Sequence, residues 1–178
     1  MLPVYTIGHS TRSIDEFAAL LGIGQVRRVV DIRTVPRSRT NPQYNLDALP
    51  DSLAAYQIGH TRIDALGGLR GKSREVPPEV NGWWENQSFH NYADYALSDE
   101  FRHGLEELIA FGRERRVAMM CSEAVWWRCH RRIVADYLLV GGETVFHLMG
   151  DDRVTPAKMT PAARETEGRV TYPAAPTD

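Results

Sequence analysis

The opening stretch of the chain constrains the fold most. Val4-Tyr5-Thr6-Ile7 is short and β-rich and stops at Gly8, the pattern of a first strand. Ser13 then caps a helix, with Glu16 three residues on as in a capping box and Ile14, Phe17, Leu20 and Leu21 on one face. Gly22 and Gly24 end that helix. Val29-Val30-Asp31-Ile32 reads as a second strand. A strand, a helix and a strand in so short a span form a βαβ unit, which predicts parallel pairing through a right-handed crossover.

Further along, Pro36 and Pro42 bracket a polar loop holding Arg37, Ser38, Arg39, Thr40 and Asn41. Leu46 to Tyr56 predicts a helix, and His60-Thr61-Arg62-Ile63 a weak third strand ending near Leu66-Gly67-Gly68. Regular patterning vanishes over residues 70–86, a lid-like segment in which Trp83 and Trp84 require burial or a partner. A helical stretch starts at Tyr92 and continues through Phe101, Leu105, Leu108, Ile109 and Phe111 toward Arg113. Val117-Ala118-Met119-Met120-Cys121 is apolar throughout and predicts a central strand. A helix with Ile133, Val134, Tyr137 and Leu138 on its buried side ends at Gly141-Gly142, and Thr144 to Leu148 is the last strand. Residues 151–178 form a C-terminal extension, where Val170-Thr171-Tyr172 either adds an edge strand or packs down. With 178 residues, 43% of them hydrophobic, the chain suits one domain with a sizeable core. The expected fold is α/β: a Rossmann-like three-layer α/β/α sandwich with a mostly parallel sheet.

The formal net charge of -2 argues against tight nonspecific binding to nucleic acid or an anionic membrane. Lys72 and Lys158 are the only lysines, so the cations are nearly all arginine, suited to bidentate pairing with phosphate or carboxylate. Two cysteines are too few for a disulfide framework. Met1-Leu2-Pro3 runs straight into the first strand pattern, and no apolar run reaches membrane-spanning length. The expectation is a cytoplasmic protein with free thiols and no membrane contact.

Parallel sheets bind ligands beyond the carboxyl ends of their strands. The residues there are Gly8, His9 and Ser10 after the first strand, Asp31 and Arg33 at the second, and Cys121, Ser122 and Glu123 after the central one. Cys129-His130-Arg131 opens the following helix, where unpaired N–H groups and a positive dipole favour an anion. The candidate catalytic groups are Glu123 as general acid or base, Asp31 and His9 in support, and Cys129 as a thiol activated by the helix start. Ser10, Arg33, Ser38, Cys121, His130 and Arg131 are candidate ligand or anion contacts. Each has a plainer alternative. Cys121 fits as a small buried hydrophobe, Glu123 as a partner fixing Arg33 or Arg131, and Ser10 as a helix cap. Asp31 and Arg33 fall on one side of their strand, so a local ion pair and a shared ligand are both within reach. His9 and His147 fit as hydrogen-bonded structural residues. No Cys-x-x-Cys or paired-His spacing is present, so no metal is expected. Walker and dinucleotide glycine patterns are missing, so no cofactor is expected either.

Thr6-Ile7-Gly8-His9-Ser10, Asp31-Ile32-Arg33 with Pro36 and Ser38, Leu66-Gly67-Gly68, and Cys121-Ser122-Glu123 followed by Cys129-His130-Arg131 resemble the signature of the domain of unknown function 488 family. The resemblance runs in order from Thr6 to about His147, with Ser122 standing where the family usually has Ala. It implies a prokaryotic cytosolic α/β domain and brings no reaction with it.

Three functions stay open. The first is an enzyme that binds a small anionic ligand, phosphorylated or nucleoside-like, with acid–base work by Glu123. The second is a nucleic-acid-associated module, with Arg37, Arg39, Arg70, Lys72 and Arg74 along a backbone and Trp83 and Trp84 stacked on bases. The third is a thiol nucleophile or redox switch at Cys129. Oligomeric state is not readable from the sequence.

Overall fold

Strands buried on both faces must be apolar along their whole length. Val4–Gly8 (β1) and Val117–Cys121 (β4) meet that condition, being buried at every position. They lie side by side at the centre of a six-stranded sheet in a computed structural model that describes residues 1–175. The end of the expected C-terminal extension, 176–178, lies outside the described residues.

Adding Arg28–Asp31 (β2), Gly59–Arg62 (β3), Val145–Met149 (β5) and Arg153–Pro156 (β6) gives the order β3-β2-β4-β1-β5-β6. All pairings are parallel except β5 with β6. Helices Ile14–Ile23 (α1) and Leu49–Ala54 (α2) cover one face, where Phe17, Leu21, Leu49 and Leu53 pack on Ile7, Val29 and Met120. Helices Gln87–Tyr95 (α3), Asp99–Glu114 (α4) and Arg131–Val140 (α5) cover the other, where Tyr92, Phe101, Leu108, Ile133 and Leu138 meet Val30, Val117 and Met119. The fold is the expected three-layer α/β sandwich on a mostly parallel sheet.

Three local readings change. The strands of the opening unit, β1 and β2, are parallel but not paired with each other, because β4 is inserted between them. This strand is the most apolar of the chain, and it takes the position of deepest burial. The helical stretch after Tyr92 is two helices: the Ser98 hydroxyl accepts from Phe101 N–H and caps α4 afresh. The strand over Val145–Met149 is not the last. Beyond β6, Arg164–Thr166 (β7) and Arg169–Thr171 (β8) form a separate hairpin. Val170 and Tyr172 pack down onto the α3–α5 layer, and the Tyr172 hydroxyl donates to Asp136 at 2.7 Å. Residues 70–86 carry no helix or strand, as expected, and Trp84 is buried in the core between Phe89 and Tyr172.

The order has a consequence for ligand binding. From β1 the chain crosses to β2 over the α1 face, whereas from the adjacent β4 it crosses to β5 over the α5 face. Connections leaving two neighbouring strands in opposite directions open a crevice at their carboxyl ends. The ladder between these strands extends past them, with His9 N–H donating to Cys121 O at 2.9 Å and Ser10 N–H to Ser122 O at 3.0 Å. Gly8 permits this approach: a Cβ there would lie 1.5 Å from the Glu123 carbonyl oxygen. Gly8→Ala therefore has to displace the backbone after β4. The expected cost is about 3 kcal/mol, a fall in thermal midpoint on the order of 10 °C. Circular dichroism melts measure it, and an unchanged midpoint would show that the loop yields freely.

Candidate functional site

A cavity of about 780 Å³ occupies that crevice. Its walls are the turn after β1, the segment after β2, Gly68-Leu69, the start of α3, and the loop from Cys121 to His130. Of the residues singled out in the sequence, His9, Ser10, Arg33, Ser38, Cys121, Glu123, Cys129 and His130 line it. Asp31 and Arg131 stand behind the wall, both fully buried.

Asp31 is engaged by Arg33 through a fork, Nε donating to Oδ1 at 2.9 Å and Nη2 to Oδ2 at 2.7 Å. Arg33 N–H donates to the same carboxylate at 3.1 Å, and His60 Nε2 stands 3.4 Å from it without a well-aligned hydrogen bond. Burial opposes ionisation of Asp31, but these donors outweigh it and bring its pKa down to about 2. The Arg33 fork also donates to Tyr44 O at 2.8 Å. Its remaining nitrogen, Nη1, is buried and has no partner among the described residues, although Arg33 forms part of the cavity wall.

Arg131 clamps the site from below. Nε donates to Thr6 Oγ1 at 3.2 Å, Nη1 to the Cys121 sulfur at 2.6 Å and to Glu123 O at 2.7 Å, and Nη2 to Ala124 O at 3.3 Å. The Thr6 hydroxyl, accepting from Arg131, is also hydrogen-bonded to His147 Nδ1 at 2.7 Å. His147 also stacks on Trp126, with centroids 4.7 Å apart. Burial, reinforced by Arg131, pushes the His147 pKa down to about 3.

The backbone of Glu123 is thus fixed while its exposed side chain makes no hydrogen bond or ion pair among the described residues. His9 stacks on Tyr44 at 4.2 Å, and its Nδ1 lies 2.8 Å from Ser10 O. A carbonyl only accepts, so Nδ1 carries the proton and the lone pair is on Nε2. Burial lowers the His9 pKa. Ser10 does not cap α1, a role that falls to Ser13; it adopts a left-handed φ of 48° on the cavity rim. Ser38 Oγ accepts from Asn41 N–H at 2.9 Å and organises the loop that carries Arg37.

Two cavity arginines were not among the candidate site residues. Arg37 reads in the sequence as a nucleic-acid backbone contact, and Arg128 directly precedes Cys129-His130-Arg131, a position that places it at the same loop end. With Arg33 they set three guanidinium groups against one carboxylate, Glu123, in the cavity wall. Among the described residues no group of His, Cys, Asp and Glu could hold a metal ion, and no helix is long and apolar enough to cross a membrane. Trp84, one of the two proposed base-stacking residues, is occupied by the core.

The buried imidazoles make stability depend on pH. Folded His147 stays neutral well below the pH at which an unfolded histidine, near 6.5, takes a proton. Between those values the unfolded chain binds the extra proton, so stability falls as pH drops from about 6.5 toward 3, by roughly 1.4 kcal/mol per unit at full effect. Asp31 adds to the loss below about 4, where its unfolded form protonates before its folded one. Denaturant unfolding from pH 7 to 4.5 is expected to show this decline, and His147→Gln to lessen its slope by up to one proton. An equal slope in both proteins would rule His147 out as the cause.

A family model described as Domain of unknown function DUF488 matches residues 13–138. The span takes in β2, β4, all but the last two residues of α5, and every cavity-lining segment except the turn at residues 9–11. No curated protein and no solved structure matches the chain. Since the family match covers well over half of its length, the chain belongs to the DUF488 family.

Proposed function

We propose that this protein is an enzyme that binds a small anionic ligand, phosphorylated or nucleoside-like, at the carboxyl ends of its parallel strands and uses Glu123 for acid–base chemistry. The observation that carries this reading is the balance of the cavity: Arg33 is matched by Asp31 behind the wall, which leaves Arg37 and Arg128 against the single lining carboxylate of Glu123. A planar guanidinium suits bidentate contact with phosphate oxygens. Arg33 itself is part of the wall, with its fork held in place by Asp31.

On this reading Asp31 does not react. It neutralises Arg33 and sets the plane of its fork, a positioning role. Arg131 likewise positions, by holding the main chain from which the Glu123 carboxyl projects. Glu123 gives or takes the proton at the reacting group, with His9 Nε2 as a second proton acceptor in the same wall. Val35 and Leu69, exposed at the rim, would contact an apolar or planar part of the ligand. The chain carries two unpaired cysteines, in keeping with a reducing prokaryotic cytoplasm as its setting.

The test is a turnover and binding screen of the full chain against ribose 5-phosphate, AMP and related phosphorylated sugars and nucleotides. Arg128→Ala is expected to weaken binding of any hit by at least about 10-fold, the loss of one charge-assisted contact. Glu123→Gln is expected to retain binding and lower turnover by about 10²- to 10⁴-fold, the usual worth of a positioned acid or base. Binding indifferent to Arg128 and turnover indifferent to Glu123 would remove the proposal.

A further inference from the structure

We propose that Cys129 is the nucleophile of this cavity, with His130 as its base, and that it attacks the phosphoryl group of a bound phosphate monoester. This rests on the anionic-ligand reading above and names the reaction at the same site.

The geometry is that of an activated nucleophile. The Cys129 thiol lies 3.5 Å from His130 Nδ1, and His130 Nε2 lies 3.0 Å from the Ile32 carbonyl. Since that carbonyl can only accept, Nε2 carries hydrogen and Nδ1 turns its lone pair to the sulfur. A nucleophile, a base within reach and a third group that orients the base are the elements of covalent catalysis. The imidazole is also held sterically. It packs edge-on against Tyr92, with centroids 4.9 Å apart, and a Cβ on Gly68 would come within 2.5 Å of Nδ1. Both Cys129 and His130 line the cavity, as does Arg33 with its unpartnered Nη1.

The groups facing Cys129 are Cys121 from β4, His130 and Arg131 beside it in sequence, and Tyr92 from α3. Burial opposes ionisation of Cys129. The Cys121 thiol, the Arg131 charge and the Arg131 N–H, 3.4 Å from the sulfur, overcome that and hold it below the ordinary thiol value. Cys121 is pushed well up by burial and by its neighbour, so it remains the protonated partner.

The proton on Cys129 passes once to His130 Nδ1, and the thiolate–imidazolium pair so formed enters and leaves each turnover. The thiolate forms an S–P bond as the ester O–P bond breaks, and protonated Glu123 gives its proton to the departing alkoxide. Water then attacks phosphorus, the Glu123 carboxylate takes one of its protons, and the S–P bond breaks to return the thiolate and free phosphate. Arg33 and Arg128 balance the charge on the phosphoryl oxygens in both steps.

Two measurements on the full chain test this. Iodoacetate labelling from pH 5 to 10, read by peptide mass spectrometry, is expected to modify Cys129 with a midpoint below the roughly 8.5 of a free thiol. It is expected to spare Cys121, to be slowed by orthophosphate, and to have its midpoint raised by His130→Asn. Rapid acid quenching with p-nitrophenyl phosphate is expected to trap a phosphoryl group on the Cys129 peptide, and Cys129→Ser to abolish p-nitrophenol release. An ordinary midpoint, preferential labelling of Cys121, absence of both adduct and release, or release that survives Cys129→Ser each overturns the proposal. Orthophosphate protection with an ordinary midpoint removes the nucleophile alone, whereas orthophosphate that neither binds nor protects removes the anion reading beneath it.

Discussion

The guanidinium of Arg131, sealed from water, ties the functional end of the sheet together. A buried cation is tolerated only when its donors find partners, and these are supplied by Thr6 on β1, Cys121 at the end of β4, and the carbonyls of Glu123 and Ala124. One side chain from α5 thus joins the two central strands and the loop that begins the cavity. The Glu123 carboxyl can stay free because its main chain is not. The contact from Gly8 to the same carbonyl closes the loop from the other side.

The site is built on charge that has been taken out of water. Asp31 with Arg33, and Arg131 with the thiols, are costly to bury and return that cost only when their hydrogen bonds are complete. His147 is held neutral beside them, so the ionisable groups under the cavity are nearly all fixed in one state. Beneath the wall, Arg33 Nη1 and His60 Nε2 are buried nitrogens without a partner among the described residues.

The elements were legible wherever a local pattern sets them. The Ser13 capping box, the wholly apolar run at Val117–Cys121 and the glycines after α5 each carry their own signal, and the structure forms each where the pattern lies. The rule that ligands gather at strand ends brought His9, Arg33, Cys121 and Glu123 to one cavity, because it depends on topology class and not on detail. What escaped depends on long-range packing. Nothing near Val4 or Val29 indicates that β4 will insert between their strands. Ser98-Asp99-Glu100 did carry a cap signal, but the apolar spacing on either side masked it. Arg131 reads as an anion contact at a helix start, and only its partners on β1 and after β4 show that it turns inward. The packing of Tyr172 against Asp136 is likewise invisible in a stretch rich in Pro, Thr and Ala.

On this reading an anion lies in the cavity against Arg33 and Arg128. A crystal soaked in tungstate and measured at the tungsten absorption edge tests it most directly, because the heavy oxyanion reports its own position. A strong anomalous peak inside the cavity against the Arg128 guanidinium, lost in crystals of Arg128→Ala, is the expected result. A cavity without a peak, in crystals where tungstate binds elsewhere on the surface, would contradict it.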